Sequence, residues 1–174
     1  MNLHGKNVVL RPMRREDAEE IVRWRNAPDV HAQMFAADPP TMEGHMQWFN
    51  SLQKRDDRVE FVIVENSSGR PVGTIGLSNI DRVNRRAEYG ILIGEAAARG
   101  KGLAREASQL ILKYAFEMLQ LHRVFLYVFR ENEPAIRLYR ALGFDQEGVM
   151  RHHVLKDGVF RDVVVMGCIH EGGE

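Results

Sequence analysis

The sequence predicts an α/β fold, a mixed twisted sheet of about seven strands flanked by four helices in the order β-α-α-β-β-β-α-β-α-β-β. Three observations carry that prediction. Strand-like apolar runs and helix-spaced apolar stripes alternate along the whole chain. Val124-Phe125-Leu126-Tyr127-Val128-Phe129 is a continuous apolar run, as expected of a strand covered on both faces. Ile91-Leu92-Ile93 leads through small residues into Arg99-Gly100-Lys101-Gly102, where a helical pattern begins.

The elements follow in order. Val8–Pro12 reads as the first strand. Asp17 with Glu20 has the form of a capping box, and Ala18, Ile21, Val22 and Arg25 continue at helical spacing to about Asn26, before Pro28. Residues 30–40 read as irregular. Thr41 is a suitable N-cap for a second helix, which puts Met42, His45, Met46, Phe49 and Leu52 on one face. Phe61–Val64 and Pro71–Ile80 are strands joined by Asn66-Ser67-Ser68-Gly69, and a third strand covers Arg85–Ile93. The long helix after the glycines, running to about Leu119, stripes Leu103, Ala107, Leu110, Ile111, Tyr114 and Met118. Asn132 as N-cap, Pro134 in the first turn and Gly143 just past the end bound a short helix, Glu133–Leu142. Two last strands, near Asp145–Val154 and Val159–Ile169, are joined by Lys156-Asp157-Gly158, and the tail from His170 is expected to fray.

Composition narrows the function. The chain has 174 residues, read as one domain spanning 1–174. Basic and acidic residues number 24 each, so no charge excess points to nucleic acid or a membrane surface. One cysteine, Cys168, excludes an internal disulfide. The start lacks a signal peptide's apolar stretch, and no run approaches the roughly 18 apolar residues of a membrane span. The expectation is a reduced, cytoplasmic protein. The seven histidines show no metal-ligand spacing with a second cluster, so no metal site is expected.

The glycine loop carries the first chemical reading. Two glycines at a strand-to-helix junction let backbone approach a ligand, and the new helix offers free N–H groups and its positive dipole end. That is an anion site suited to phosphate or pyrophosphate. It is neither the Walker loop, since Leu103-Ala104 follows in place of Lys-Ser/Thr, nor the three-glycine dinucleotide fingerprint.

Arg99-Gly100-Lys101-Gly102-Leu103-Ala104 resembles the Arg/Gln-x-x-Gly-x-Gly/Ala motif of the GNAT family of N-acetyltransferases. Downstream, Asn132-Glu133-Pro134-Ala135-Ile136-Arg137-Leu138-Tyr139-Arg140-Ala141-Leu142-Gly143-Phe144 resembles that family's second hallmark, at its usual separation. The resemblance implies a GNAT-like sheet and acetyl transfer from acetyl-CoA to a primary amine by direct attack, without a metal. It places the pyrophosphate on Arg99, Gly100, Lys101, Gly102, Leu103 and Ala104. It lays the pantetheine arm along Ile91, Leu92 and Ile93, where two parallel strands splay, and brings Asn132 to that arm. A backbone N–H at Ile91 would serve the oxyanion. Tyr139 is the candidate general acid, because a phenol ionises above a thiol; the alternative is that it only packs beside Phe144. Glu88 is the candidate base, directly or through water; the alternative is a solvated strand residue paired with Arg85 or Arg86.

The acceptor side is carried by Trp24, Arg25, Asn26, Met34 and Trp48. This block resembles the nucleotide-sugar amine acetyltransferases of pseudaminic-acid biosynthesis, which implies the 4-amino group of a UDP-linked dideoxy amino sugar as acceptor. Aromatic faces would stack and arginines would fork onto phosphate; alternatively Trp24 and Trp48 are core residues. A polyamine would call for carboxylates, and residues 23–49 hold only Asp29, Asp38 and Glu43. The other readings are an acetyltransferase of protein N-termini, ribosomal proteins or another small amine, and a non-catalytic acyl-CoA-binding module. The expected partner is a small-molecule amine, with a homodimer as assembly.

Overall fold

The computed structural model describes residues 1–172, so the last two residues of the tail expected to fray lie outside the described residues. The elements are β1 (Leu3–His4), β2 (Val8–Pro12), α1 (Ala18–Asn26), α2 (Pro28–His31), α3 (Met42–Leu52), β3 (Val59–Glu65), β4 (Arg70–Asp81), β5 (Arg86–Ile93), α4 (Leu103–Lys113), β6 (Arg123–Phe129), α5 (Glu133–Ala141), β7 (Asp145–Lys156) and β8 (Val159–Ile169). The strands form one eight-stranded sheet in the order β1-β2-β3-β4-β5-β6-β8-β7. The class is the one expected, with one more strand and one more helix. Leu3–His4 pairs with Val9–Leu10, a two-residue strand too short to show a period. Pro28 starts α2, where its fixed φ suits a first helical turn.

Local chemistry explains most boundaries. Thr41 Oγ1 accepts the Gly44 N–H at 3.0 Å and starts α3. Asp17 departs from the expected capping box. Its carboxylate takes both terminal guanidinium nitrogens of Arg11, at 2.7 and 2.8 Å, and the Arg14 N–H at 2.7 Å. A two-pronged charged pair outweighs a cap, so Asp17 ends a 3-10 turn and α1 begins one residue later. Glu20 pairs with Arg23 instead. Past Lys113 the chain makes a π turn over Tyr114–Met118. The wider turn breaks the 3.6-residue stripe: Met118, expected inside, is 62% exposed, while Ala115 and Leu121 are buried.

The core lies between the sheet and the helices α4 and α5, around Leu10, Ile63, Ile75, Leu77, Ala107, Ile111, Val124, Leu126 and Phe144. Cys168 is buried in it. Among the described residues, no helix is long and apolar enough to cross a membrane.

One irregularity of the sheet positions the site. All neighbouring strands are antiparallel except β5 and β6. That parallel pair holds register only at Arg86↔Arg123, Ala87↔Val124 and Glu88↔Phe125. Beyond Glu88 the two strands run on without pairing to each other. Backbone polar groups along such a gap still require partners.

Candidate active site

The glycine loop sits at the open end of that gap. A 3-10 turn at Ala96–Ala98 leads to Arg99, and Gly102 directly precedes α4. Gly100 and Gly102 have φ of +74° and +77°, and a Cβ built on either meets nothing within 4 Å. Among the described residues no side chain caps α4, so its first-turn amides are available to an anion. The residues therefore fit a phosphate cradle made of backbone. The loop's own cations are engaged elsewhere. Arg99 turns back to the Ile93 carbonyl, at 3.2 Å, and pairs with Asp29. Lys101 pairs with Glu65 at 3.0 Å, and Leu103 is buried in the core. Leu103 thus offers no side chain to a phosphate, while Arg99 and Lys101 are held by carboxylates.

Tyr139 lies inside α5, buried, with its ring edge-on to Tyr89 at 5.8 Å and to Phe144 at 6.0 Å. Burial pushes its phenol up to about 12, so it stays protonated throughout the neutral range. Tyr89, by contrast, bonds Ser108 at 2.6 Å and is further buried. Asn132 caps α5, accepting the Ala135 N–H at 3.4 Å.

Beside the gap, on the β4–β5 side, lies a cavity of about 280 Å³ that includes Gly90, Ile91 and Leu92 in its wall. Arg25 from α1, Gln33 and Met34 from the loop after α2, Glu60 from β3, Ser78 from β4 and Glu88 from β5 converge on it. Glu88 is half-buried and takes the Asn79 amide at 2.9 Å, not Arg85 or Arg86. A bulge after Ser78, with Asn79 at φ +51°, brings that amide into reach. Glu60 pairs with Arg58 at 3.3 Å, and its carboxylate lies against Gly76, where any Cβ would collide with it. Burial raises Glu60 to about 7. Arg25 is pulled below its ordinary value by burial, and its Nε is buried without a partner among the described residues.

The expected acceptor residues separate here. Arg25 and Met34 line the cavity. Trp48 is not among the residues that line it; the guanidinium groups of Arg25 and Arg58 lie 6.0 and 5.9 Å from its ring centre. Trp24 is corrected: it is 1% exposed, its indole N–H bonds Glu95 at 2.7 Å, and its ring fills the space a Gly94 side chain would need. A ring so enclosed has no free face for stacking. Asn26 is also corrected. Its amide ties the Val22 and Pro40 carbonyls at 2.8 and 2.9 Å and holds the end of α1. Glu60, Arg58, Gln33 and Asn79 escaped the sequence reading; the only trace of Glu60 was a carboxylate directly before an apolar strand. Among the described residues, no group of three or more His, Cys, Asp or Glu side chains could hold a metal.

Comparison with known proteins agrees with this geometry. Residues 7–145 match the family model described as acetyltransferase (GNAT) domain. The chain is 35% identical over 166 residues to a spermidine N(1)-acetyltransferase of Escherichia coli K12, covering 95% of this chain and 87% of that protein. It is 31% identical to a probable N-acetyltransferase of Bacillus subtilis, covering 99% of both. The crystal structure of a Vibrio cholerae spermidine N-acetyltransferase in complex with CoA and spermine superposes with a TM-score of 0.88 at 27% identity, covering 95% of this chain and 96% of that one. A dodecameric structure of spermidine N-acetyltransferase from Vibrio cholerae gives 0.82 at 27% identity, covering 95% of both chains. With the glycine loop, the splayed strands and the Asn132–Phe144 segment in place, the chain belongs to the GNAT family and is an acetyl-CoA-dependent N-acetyltransferase.

Proposed function

We propose that the protein acetylates a primary amine of an aliphatic polyamine, with spermidine as the first acceptor to test. The observation that carries this reading is the pair of carboxylates, Glu60 and Glu88, on one cavity beside Gly90–Leu92. An alkylammonium group needs such partners, and they come from β3 and β5, outside residues 23–49. The spermidine acetyltransferases among the relatives support the same class.

In the proposed reaction the pyrophosphate of acetyl-CoA rests on the backbone of Gly100–Ala104 and its thioester arm lies along Ile91–Ile93. Glu88 accepts a proton from the ammonium, freeing the nitrogen lone pair. The amine attacks the thioester carbon, with the Ile91 N–H donating to the oxyanion. As the C–N bond completes, the C–S bond breaks and Tyr139 donates its proton to the departing thiolate; the second proton of the attacking nitrogen returns to the Tyr139 oxygen, directly or through water, leaving the neutral amide, the free thiol and Glu88 with the proton it took. The proposed assembly is a homo-oligomer.

A second reading follows from Arg25. A buried guanidinium nitrogen with no partner among the described residues suits an acceptor that also carries an anion, as a nucleotide-linked amino sugar does. The deciding experiment is an acceptor panel with acetyl-CoA: spermidine, spermine, a peptide amine and a UDP-linked amino sugar, with UDP titrated as competitor. Turnover of spermidine without inhibition by millimolar UDP is the expected result. Competitive inhibition by UDP with no spermidine turnover transfers the assignment to the nucleotide sugar.

A further inference from the structure

A fully buried lysine with no carboxylate partner is costly, because desolvation of an ammonium is offset only by good hydrogen bonds. Lys156 is such a residue. It ends β7 beside the Asp157-Gly158 turn and is 1% exposed, although Leu155, Val159 and Phe160 around it are exposed. Burial lowers its ammonium below the ordinary lysine value. Among the described residues it makes no ion pair. Its Nζ donates instead to the carbonyls of His31 and Met34, and to that of Ala36 at 3.1 Å. Three N–H donors meet three carbonyls, so the ammonium is satisfied by backbone alone.

Those carbonyls belong to the end of α2 and the loop that follows it. The same loop sends Gln33 and Met34 into the acceptor cavity. Two further contacts hold it. The Phe35 ring meets Phe129, at the end of β6, edge-on at 4.8 Å, and His31 Nε2 lies 3.3 Å from the Ala37 carbonyl. Lys156 is the tie that reaches across from the β7–β8 hairpin, 120 to 125 residues away in sequence.

We propose that Lys156 is a positioning residue for acceptor binding: its ammonium fixes the 31–36 backbone, and thereby the Gln33–Met34 wall of the cavity. It touches neither acceptor nor acetyl-CoA. The kinetic consequence rests on the polyamine reading; the structural one does not.

The experiment therefore has two arms. In the first, hydrogen–deuterium exchange is followed in the substrate-free protein. Lys156→Met strands the three carbonyls and should speed exchange across residues 32–38 by about tenfold, the scale of one buried unpaired group, while β5 is unchanged. In the second, the Lys156→Met variant should raise KM for spermidine by about tenfold and leave KM for acetyl-CoA unchanged. Lys156→Arg, which keeps charge and donors, should restore most of the spermidine KM. Leu155→Ser, on the same hairpin but exposed, should change neither. If Lys156→Met does not fold, Lys156→Gln is measured in both arms. Unchanged exchange in residues 32–38, or a parallel rise in both KM values, overturns the proposal. If spermidine is not acetylated at all, the polyamine reading fails and the exchange arm alone decides on Lys156.

Discussion

The two halves of the site are built by different means. The proposed cofactor side is consecutive backbone: two glycines at positive φ, a helix start without a side-chain cap among the described residues, and an open strand edge. The proposed acceptor side is a set of single side chains contributed by α1, the loop after α2, β3, β4 and β5. Backbone recognition tolerates almost any side chain that leaves the conformation alone. Side-chain recognition depends on each group's identity and charge, so it can change acceptor while the fold stays constant.

The largest effect is expected at Tyr139, whose ring packs against Tyr89 of the cavity wall. Tyr139→Phe removes only the hydroxyl, which has no hydrogen-bond partner among the described residues, and leaves the ring against Tyr89 and Phe144. Stability should hold and affinity for acetyl-CoA should be unchanged. Turnover should fall by about 10²- to 10⁴-fold, the usual worth of general acid catalysis. Steady-state kinetics with thermal melting distinguishes the outcomes. An unaltered kcat would make Tyr139 a packing residue and leave the two halves without a shared catalytic group.

This contrast also explains what the sequence revealed. The glycine loop, Asn132 and Tyr139 sit in short contiguous motifs whose backbone roles follow from residue type. The strands were legible because their apolar runs are continuous. The acceptor cavity was not, because its groups meet only through the sheet register. Glu60 lies opposite Gly76 and Glu88 opposite Ser78, two positions further along β4, and Asn79 reaches Glu88 only through a bulge. Trp24 misled for a related reason. An amphipathic aromatic next to arginines fits both a stacking platform and a core wedge, and the decision rests on Gly94, seventy residues on, which leaves the space its ring occupies. Met118 failed because a π turn cannot be seen in a helical stripe.

A second effect tests the acceptor half through pH. Glu60 in the fold sits near 7, above its ordinary 4.5, because burial disfavours the charged form. The folded protein therefore binds this proton more tightly than the unfolded chain. Its contribution is complete below about pH 4.5 and is lost as pH rises through about 7. A displacement from 4.5 to about 7 corresponds to about 3 kcal/mol at most. Glu60→Gln should abolish this loss, so the variant gains on the wild type between pH 5 and pH 8 in denaturant melts. The same variant should weaken spermidine and leave acetyl-CoA affinity alone. A wild type whose stability runs parallel to the variant's across that range would show that Glu60 is ionised without penalty and is no special feature of the cavity.

The smallest effects give the sharpest test of backbone against side chain on the cofactor half. Gly102→Ala places a methyl group in the open space before the loop and asks a non-glycine residue to hold φ +77°. The left-handed conformation costs about 1–2 kcal/mol for a residue with a Cβ, and the methyl group stands where phosphate would approach. Affinity for acetyl-CoA should fall by about tenfold, 1.4 kcal/mol, measured by calorimetry on the folded variant. Arg99→Ala and Lys101→Ala are the controls. Arg99 is committed to exposed Asp29, and Lys101, itself exposed, to the buried Glu65; a pair with a solvent-exposed cation contributes little. Each should change the affinity by less than about threefold. If either control weakens acetyl-CoA more than Gly102→Ala does, the cations leave their partners for the phosphate on binding. The cofactor half would then recognise its ligand by side chain, as the acceptor half does.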